Sequence, residues 1–539
     1  MNKILSFLLL ISFGFSQTEP IKDIHSNKPR VWALTHAMIH TEPGDFIKDG
    51  TIIVRDGKIE KVGRYIQIPG DAYEIDLDGA QVYAGFIDGW LEVKKDEKII
   101  SPDDHWNERM RPEYRAKDDL KLKEKDLKAL RSIGITAAHV VPEKGLFKGK
   151  SDLVILKDNN LSVSKDVAQI ISFKTGGWGV PYPHSLLGII AFIRQSLLDA
   201  EWYGKSTAIV NKYPDENEPI PLNPGLTALE EFRATNRPML FMTKEEHGAL
   251  RALNITKEFN LNPWILGSGF EYRRLNDIAE QKPFFIFPLE FPAKPKVKDP
   301  NIALQYSTEQ LKHWDMAPDN IKKVYDAGMH FSLTSSPLKK KSDFRKNLQK
   351  IIDRGLPQDV ALAALTTFPA KAMGAEKTLG KIQPGYIANL VVTDGDYFDP
   401  KSRIISLWLA GEEHYMAPRH KVYAMGKWNL TLNKKDYELE FSMPKPKKGS
   451  TAPKGKPSFG GKLGGTILVG EEKFKIRELD IYESSVSFTV DGKSLGFKGA
   501  IAFNGEMTQD TFTGSAHDGS GDAFSFSATR TKTVEPKPR

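Results

Sequence analysis

Strands and helices alternate along the chain between about residues 84 and 373, and this alternation restricts the fold more than any other feature. Apolar strand candidates such as ITAAHVV and PMLFM recur there, and segments with helical periodicity, such as LKEKDLKALRSIG, lie between them. Strands that alternate with helices form parallel sheets, and about 250 residues is a usual length for a (β/α)₈ barrel. The sequence therefore predicts an α/β fold with a TIM barrel over residues 84–375.

Short strands with glycine turns lie on both sides of this region. Residues 30–83 contain two strands joined at Asp56-Gly57, where glycine supplies the positive φ that a tight hairpin turn requires. A second set of short strands with glycine turns occupies residues 376–440. Because the two sets flank the alternating region, we expect them to form one composite β-sandwich domain.

The C-terminal part of the chain changes in composition. Residues 443–461 are rich in proline, lysine and glycine without periodicity, which predicts a stiff, solvated linker. Residues 462–539 then alternate apolar and polar residues, with turn signals at Asp491-Gly492 and Asn504-Gly505. This pattern predicts a small antiparallel β domain.

The N-terminus has the pattern of a secretory signal peptide. Lys3 is followed by the apolar run ILSFLLLISFGF and by the small residue Ser16, near which we expect cleavage, so that residues 1–16 are removed. The run is too short to span a bilayer, and no later apolar run reaches spanning length. The sequence predicts an exported protein, periplasmic or secreted, without a membrane span.

Composition excludes several classes of function. The chain has no cysteine, so it has no disulfide, no cysteine nucleophile and no thiolate metal site. Of the formal charge of +7, five lysines lie between Pro444 and Pro457, which leaves the rest of the chain close to neutral. A nucleic-acid-binding domain needs a basic face, so we expect no nucleic-acid partner.

Three segments resemble the amidohydrolase superfamily. YAGFIDGWLEV, Tyr83–Val93, is similar to the family's first barrel strand, Pro-Gly-Phe-Ile-Asp-x-His-x-His. ALTTFPAKAMG at 364–374 is similar to its ALTxNPAxxLG helix, and TLGKIQPGYIANLVV at 378–392 to its LGxIxPGxxADLVV return strand. The segments WNERMRPEYRA and HSLLGIIAFIRQSLLDAEWY place the resemblance in the imidazolonepropionase-related, exported branch.

The resemblance implies a hydrolase of non-peptide C–N bonds that uses a divalent metal, zinc, held by histidines and an aspartate at the barrel mouth. Such a metal lowers the pKa of bound water and polarises the substrate carbonyl. The positions of the family's metal ligands are occupied here by Trp90, Glu92, Met242, Gly267 and Ser335 or Ser336.

These replacements predict that the metal site is lost. A tryptophan N–H can only donate a hydrogen bond, and the one carboxylate, Glu92, does not hold a metal tightly alone. The residues therefore predict no metal cofactor, against the zinc that the family implies, and the replaced positions become candidates for binding a substrate. If chemistry survives, Glu92 is the candidate base or acid and Lys174 its candidate electrostatic partner, although a strand-end lysine is more commonly structural.

The remaining motifs add little chemistry. His139, within ITAAHVV, is more often a hydrogen-bonded core histidine than a ligand, and His105 is one of a few histidines on predicted loops near the mouth. Gly149-Lys150-Ser151 lacks the upstream glycine spacing of a phosphate-binding loop.

Three functions remain open from the sequence. The first is hydrolysis of a C–N bond through a remodelled site. The second is binding of a small molecule by a metal-free, catalytically inactive relative. The third is an envelope binding or scaffold protein that works through its C-terminal β domain.

Overall fold

The computed structural model describes residues 30–94, 107–157, 160–175, 182–297, 299–417, 424–442, 464–470, 472–482, 484–508 and 510–533. The predicted signal peptide at 1–16, the predicted linker at 443–461 and His105 lie outside these ranges.

Strands dominate both ends of the described chain, and helices lie between them. The strands are β1 (Val31–Glu42), β2 (Asp45–Arg55), β3 (Lys58–Gly63), β4 (Tyr73–Asp76), β5 (Gln81–Ala84), β6 (Phe86–Val93), β7 (Ile135–Pro142), β8 (Phe147–Lys150), β9 (Asp152–Ile155), β10 (Leu161–Ser164), β11 (Gln169–Ser172), β12 (Pro238–Met242), β13 (Asn262–Leu266), β14 (Phe284–Pro288), β15 (Phe331–Thr334), β16 (Leu390–Thr393), β17 (Ile404–Leu409), β18 (Glu412–Tyr415), β19 (Gly426–Leu432), β20 (Lys435–Ser442), β21 (Gly464–Val469), β22 (Glu472–Lys475), β23 (Arg477–Tyr482), β24 (Ser485–Asp491), β25 (Ala500–Met507), β26 (Thr511–His517) and β27 (Ala523–Thr533).

The helices follow the periodic segments of the sequence. They are Glu124–Arg131, Leu186–Lys212, Pro224–Ala234, Glu246–Glu258, Leu275–Ala279, Pro300–Ala303, Thr308–Met316, Asn320–Asp326, Asp343–Asp353, Gln358–Leu365 and Thr367–Ala372, with 3₁₀ turns at Ala116–Asp119, Glu271–Arg273, Ala317–Asp319 and Gly492–Leu495. Within the described part of the chain, no helix combines the length and the apolar character needed to cross a membrane.

Strands from both flanks of the alternating region pair in one eight-stranded sheet. Its order is β18–β17–β16–β5–β1–β2–β3, with β4 beside β1. The flanks join at β5 and β16, where Tyr83 pairs with Val391 and Ala84 pairs with Leu390. Since Gly85 alone separates β5 from β6, this sheet sets the position from which the central strands start.

The predicted hairpin at Asp56-Gly57 is confirmed. The two residues connect β2 to β3 with φ values of 48° and 79°, so both lie in the left-handed region that this turn requires.

The central strands form a ring. β6 pairs in parallel with β7, and β11 to β15 form a second parallel series. The segment 147–155 bridges the two groups, because β9 pairs antiparallel with β7 and β8 pairs antiparallel with β11. At the other junction, the Thr334 hydroxyl of β15 donates a hydrogen bond to the Trp90 carbonyl of β6, at 3.0 Å.

The ring differs from the regular (β/α)₈ barrel that the sequence predicts. The described pairings give seven parallel strands and one antiparallel segment, where a regular barrel has eight parallel strands. Residues 143–146 connect β7 to β8, which is too short for the crossover that a parallel neighbour needs.

Side chains alternate between the inside and the outside of the ring. Residues from several strands, among them Ile87, Trp264 and Ile286, form one apolar cluster inside it. The alternate residues, such as Ile265, belong to a different cluster that includes helix residues such as Leu253. We call this second cluster the outer cluster. The interior is therefore packed with apolar side chains, and polar groups are expected at its rim.

The C-terminal sheet begins earlier in the chain than the sequence predicts. Its nine strands follow the order β22–β21–β20–β19–β27–β26–β25–β24–β23 and pair antiparallel. β19 and β20 were expected in the composite domain, which was predicted to reach residue 440, but β19 pairs along its whole length with β20 and β27. The described C-terminal sheet therefore comprises strands from residues 426–442 as well as from the predicted domain at 462–539.

This sheet curls around its own core. Its two end strands, β22 and β23, are separated in the chain by Ile476, whose N–H donates to the Gly465 carbonyl at 2.9 Å. The large buried side chains of this core are Trp428, Phe441, Phe488, Phe503, Phe512 and Phe526. Because aromatic side chains bury much apolar area, they contribute most of the apolar core that the sheet covers.

The predicted turn at Asn504-Gly505 is wrong. Both residues lie within β25, and Gly505 pairs with Gly514 of β26. A Cβ atom at position 505 would lie 2.3 Å from the Thr513 carbonyl oxygen. The glycine is therefore required by the close approach of two strands and does not form a hairpin turn.

Gly85 packs against β7 with no space for a side chain. A Cβ atom there would lie 2.2 Å from Oγ1 and 2.9 Å from Cγ2 of Thr136, which is β-branched and has little freedom to move away. We predict that Gly85→Ala lowers the free energy of unfolding by about 1–3 kcal/mol, measured by urea denaturation. Gly70→Ala is the matched control, because a Cβ at position 70 meets nothing within 4 Å. Equal effects of the two substitutions would contradict this packing.

Candidate functional site

β6 points two of the candidate residues to the same side. The Trp90 side chain is buried in the apolar cluster inside the ring. Glu92, two residues later, lies near the carboxyl end of the strand, and its side chain is 36% exposed. Alternate strand residues share a face, so the predicted geometry of this pair holds, with tryptophan in the interior and the carboxylate at the rim.

A lysine that the sequence analysis did not select lies beside Glu92. Lys148 Nζ is 3.9 Å from Glu92 Oε1, and the Lys148 side chain is 5% exposed. Because β8 runs antiparallel to β11, its first residues lie at the edge where the parallel strands end. The carboxyl ends of the barrel strands are where active sites lie in this type of fold.

The surroundings of Lys148 lower the pKa of its side chain. Burial lowers its pKa below the ordinary value, and Glu92 acts in the opposite direction. Lys174 lowers the pKa further, while Glu143 raises it. We call these four residues, Glu92, Glu143, Lys148 and Lys174, the mouth cluster.

Lys174 lies just after the end of β11. It is exposed, and its backbone carbonyl accepts a hydrogen bond from Arg109 Nη2 at 2.6 Å. Within the described residues, the ion-pair partner of Glu92 is Lys148 and not Lys174. The structure shows no ion pair between Lys174 and Glu92 among the described residues, and the role of Lys174 stays a prediction.

On β12 and β13, the positions where the resemblance implies metal ligands are apolar or face away from the interior. Met242 packs against the cluster inside the ring, and so does Leu266. Gly267 was the predicted position on β13, but a Cβ there would lie 2.4 Å from the Phe287 ring, which belongs to the outer cluster. The inward residue at the end of β13 is therefore Leu266.

Ser335 bonds to the strand that starts the ring. Its N–H and its hydroxyl donate to Asp88 Oδ2 at 3.1 Å and 2.6 Å. The Trp90 N–H donates to the other oxygen of Asp88, at 3.1 Å. The carboxylate and the serine therefore close the ring between β6 and β15, and Ser335 is not aimed at a ligand.

Lys341 covers this junction. Its Nζ donates to the Ser335 carbonyl at 2.5 Å and to the Ser336 carbonyl at 3.4 Å. Burial lowers the pKa of Lys341, and Asp88 acts in the opposite direction. Ser336 thus contributes its carbonyl to the junction, and its N–H donates to Thr334 Oγ1 at 3.0 Å.

The residues at the predicted metal positions do not fit a zinc ion. In the described part of the chain, no three side chains of the His, Asp and Glu types come together as a possible metal site. Trp90 offers only a donor N–H, Met242 and Leu266 pack in the apolar interior, and the Ser335 hydroxyl donates to Asp88.

A cavity of about 210 Å³ opens at the carboxyl ends of β13 and β14. Its lining includes Gly267, Phe287 and His313. The adjoining loop is held by the buried carboxylate of Glu271, which accepts hydrogen bonds from the Ser268 N–H at 2.6 Å and the Asn320 side chain at 2.7 Å. Because the buried Glu271 carboxylate has its hydrogen bonds satisfied, it holds this loop in one conformation at the rim.

His139 is a hydrogen-bonded core residue, as the sequence analysis favours. Its Nδ1 lies 3.0 Å from the Gly89 carbonyl, and its Nε2 lies 2.7 Å from the Ser151 hydroxyl. Because a carbonyl only accepts, Nδ1 carries the proton and Nε2 accepts from Ser151. Burial lowers the pKa of His139 to about 4.

The comparisons with known proteins agree with the local pattern. The sequence profile of the amidohydrolase family matches residues 317–417. These residues are therefore similar to part of the amidohydrolase family's domain. A curated relative, the amidohydrolase tasK of Hapsidospora irregularis, is 30% identical over 102 residues, which are 19% of this chain and 10% of the relative. The match therefore spans about a tenth of that relative's length.

The solved structures extend this likeness to the fold of the amidohydrolases. A crystal structure of an amidohydrolase from Thermotoga maritima MSB8 matches with a TM-score of 0.59 and 22% identity, over 71% of this chain and all of that chain. At this identity the match shows the fold alone. A β-aspartyl dipeptidase from Fervidobacterium islandicum AW-1, solved with a β-Asp-Leu dipeptide, matches over 73% of this chain and 99% of its own, with a TM-score of 0.40 and 12% identity. That second likeness is too weak to support an argument.

The low pKa of His139 makes stability depend on pH. The folded pKa of about 4 lies below the ordinary value of 6.5, so the unfolded chain binds the proton more readily. We predict that native stability falls as the pH drops below about 6.5, with a His139 contribution that reaches about 3 kcal/mol near pH 4.

Urea unfolding at neutral pH and near pH 4.5 measures this contribution. His139→Gln should reduce the fall in unfolding free energy, since glutamine stays neutral. The exposed His184→Gln is the control and should leave the fall unchanged. An equal fall in both variants would show that His139 does not titrate in this way.

Proposed function

We propose that this protein uses an amidohydrolase fold to bind a small carboxylate at the mouth cluster, without a resident metal ion. The observation that supports the proposal is the position of Lys148. Its ammonium group is nearly removed from water, and among the described residues its single ion contact, with Glu92, is too long for a hydrogen bond.

A carboxylate ligand suits this environment better than a cation. A buried charge without hydrogen bonds is costly, and a carboxylate oxygen would supply an acceptor at the buried ammonium. Glu92 and Glu143 also lie in the mouth cluster, but the Glu92 carboxylate is one-third exposed and is solvated. The group that gains most from a ligand is therefore Lys148, and Lys174 adds a second positive charge at the exposed side of the site.

We predict that the full chain binds lactate, a small carboxylate, and that Lys148→Met weakens binding at least about tenfold. A hydrogen bond to a charged group contributes about 1.5–3 kcal/mol, and about 1.4 kcal/mol corresponds to a tenfold change. Isothermal titration calorimetry in the presence and absence of a chelator measures both points.

Lys150→Met is the matched control for Lys148→Met. Lys150 lies on the same strand and is also near a carboxylate, Glu231 at 3.8 Å, but it pairs with Gln169 at the start of β11, away from the rim. Its substitution should leave lactate binding unchanged. Absence of lactate binding, equal weakening by both substitutions or loss of binding with the chelator would each contradict the proposal.

Hydrolysis of a C–N bond is the second candidate, in the manner of the imidazolonepropionase-related branch. The amidohydrolase family match at 317–417 favours it, and so does the carboxylate–lysine pair at the mouth. In that case Glu92 would act as the general base on water and Lys148 would supply positive charge at the developing oxyanion.

The second candidate predicts turnover of an N-acyl amino acid or a lactam by the purified chain. Glu92→Gln should then lower kcat by about 10²–10⁴-fold, the usual contribution of a general base. Glu258→Gln is the control, because Glu258 pairs with Arg194 on the helices and lies outside the mouth cluster. Unchanged turnover in Glu92→Gln would remove Glu92 from the mechanism, and one zinc per chain by elemental analysis would contradict the metal-free site.

We also propose that the protein works outside the cytoplasm, on the basis of the pattern in residues 1–16. A small, polar substrate or ligand is compatible with that location. Fractionation of cells that express the full chain would test it, and a protein retained whole in the cytoplasm would refute it.

A further inference from the structure

Two lysines of β8 lie at opposite ends of the strand. Lys150 pairs with Gln169 at the start of β11, its Nζ lies 3.8 Å from Glu231, and its side chain is 13% exposed. Lys148 lies at the rim, its Nζ lies 3.9 Å from Glu92, and its side chain is 5% exposed. Among the described residues Lys148 Nζ makes no hydrogen bond, so the lysine at the rim is the more buried and the less satisfied of the two.

The mouth cluster favours the neutral form of this amine. Burial disfavours the ammonium, and the neighbouring positive charge of Lys174 acts in the same direction. Lysines that are desolvated or placed beside another cation are the ones that attack carbonyl groups. Glu92 and Glu143 oppose this effect, but Glu92 also supplies a carboxyl group close enough to exchange a proton with the amine.

We propose that Lys148 forms a reversible imine with a 2-oxo acid. This inference rests on the carboxylate site proposed above and names the class of its ligand. The carboxylate of the 2-oxo acid would face Lys174, whose side chain has no ion-pair partner among the described residues, and the carbonyl carbon would face Lys148 Nζ.

The reaction balances without a redox partner. The Lys148 nitrogen forms a bond to the carbonyl carbon, and the π electrons of the C=O bond move to oxygen, which takes a proton. Glu92 carries this proton from the attacking nitrogen to the oxygen, and it then carries the second N–H proton to the hydroxyl group of this adduct. The C–O bond then breaks, water leaves, and the nitrogen–carbon double bond forms. Water reverses each step.

Borohydride trapping tests this inference on the full chain. With pyruvate and sodium borohydride, peptide mass spectrometry should find a carboxyethyl group on Lys148. Because burial and the charge of Lys174 lower the pKa of Lys148, we expect most of the adduct on Lys148 and little on Lys150. Lys148→Arg should remove this adduct, and Lys150→Arg should retain it.

Two further comparisons identify the roles within the site. Lactate has the carboxylate but no carbonyl, so it should compete with pyruvate and leave no adduct. Lys174→Met should lower trapping of pyruvate more than trapping of acetaldehyde, which has no carboxylate. Equal loss with both compounds would show that Lys174 does not bind the carboxylate.

The outcomes separate this inference from the proposed function. If lactate and pyruvate bind but borohydride leaves Lys148 unmodified, imine formation is refuted and the carboxylate site stands. If neither compound binds and no adduct forms, both proposals fail. An adduct spread evenly over Lys148, Lys150 and the exposed lysines would show unspecific reaction and would also refute the inference. Circular dichroism shows whether each variant is folded. Mapping of the adduct on the chain without substitutions tests the inference independently of any folding defect in a variant.

Discussion

The carboxylate of Asp88 makes the contact on which closure of the central ring depends. It accepts a hydrogen bond from the Trp90 N–H on its own strand and two from Ser335 at the end of β15. A buried carboxylate is tolerated only when such bonds replace water. The resemblance to the amidohydrolases assigns a metal-ligating aspartate to the place of Ser335, and this chain uses that place to join the first and last parallel strands.

The closed ring separates an apolar interior from a charged rim. Trp90 and Met242 lie in the interior cluster, while Glu92 and Lys148 lie at the carboxyl ends of the strands. Because the interior is packed, a ligand would meet the rim, where burial has already removed much of the water from Lys148. The proposed site therefore depends on one desolvated amine and its neighbours.

Some features of the fold and the site could be predicted from local sequence alone. The turn at Asp56-Gly57, the core role of His139 and the shared face of Trp90 and Glu92 depend on neighbouring residues and on strand periodicity. Lys148 could not be found in this way. It lies in a strand of four residues, and its importance comes from the reversed direction of that strand, which brings it to the rim beside Glu92.

The sequence by itself determined the order of strands and helices, the absence of cysteine and the absence of histidine from the first central strand. These follow from composition and from patterns within about ten residues. The tertiary structure alone decided that residues 147–155 run antiparallel, that β19 joins the C-terminal sheet and that Leu266 faces inward in place of Gly267. The physical reason is that strand partners are chosen by contacts between distant segments, and a shift of one residue along a strand exchanges its inner and outer faces.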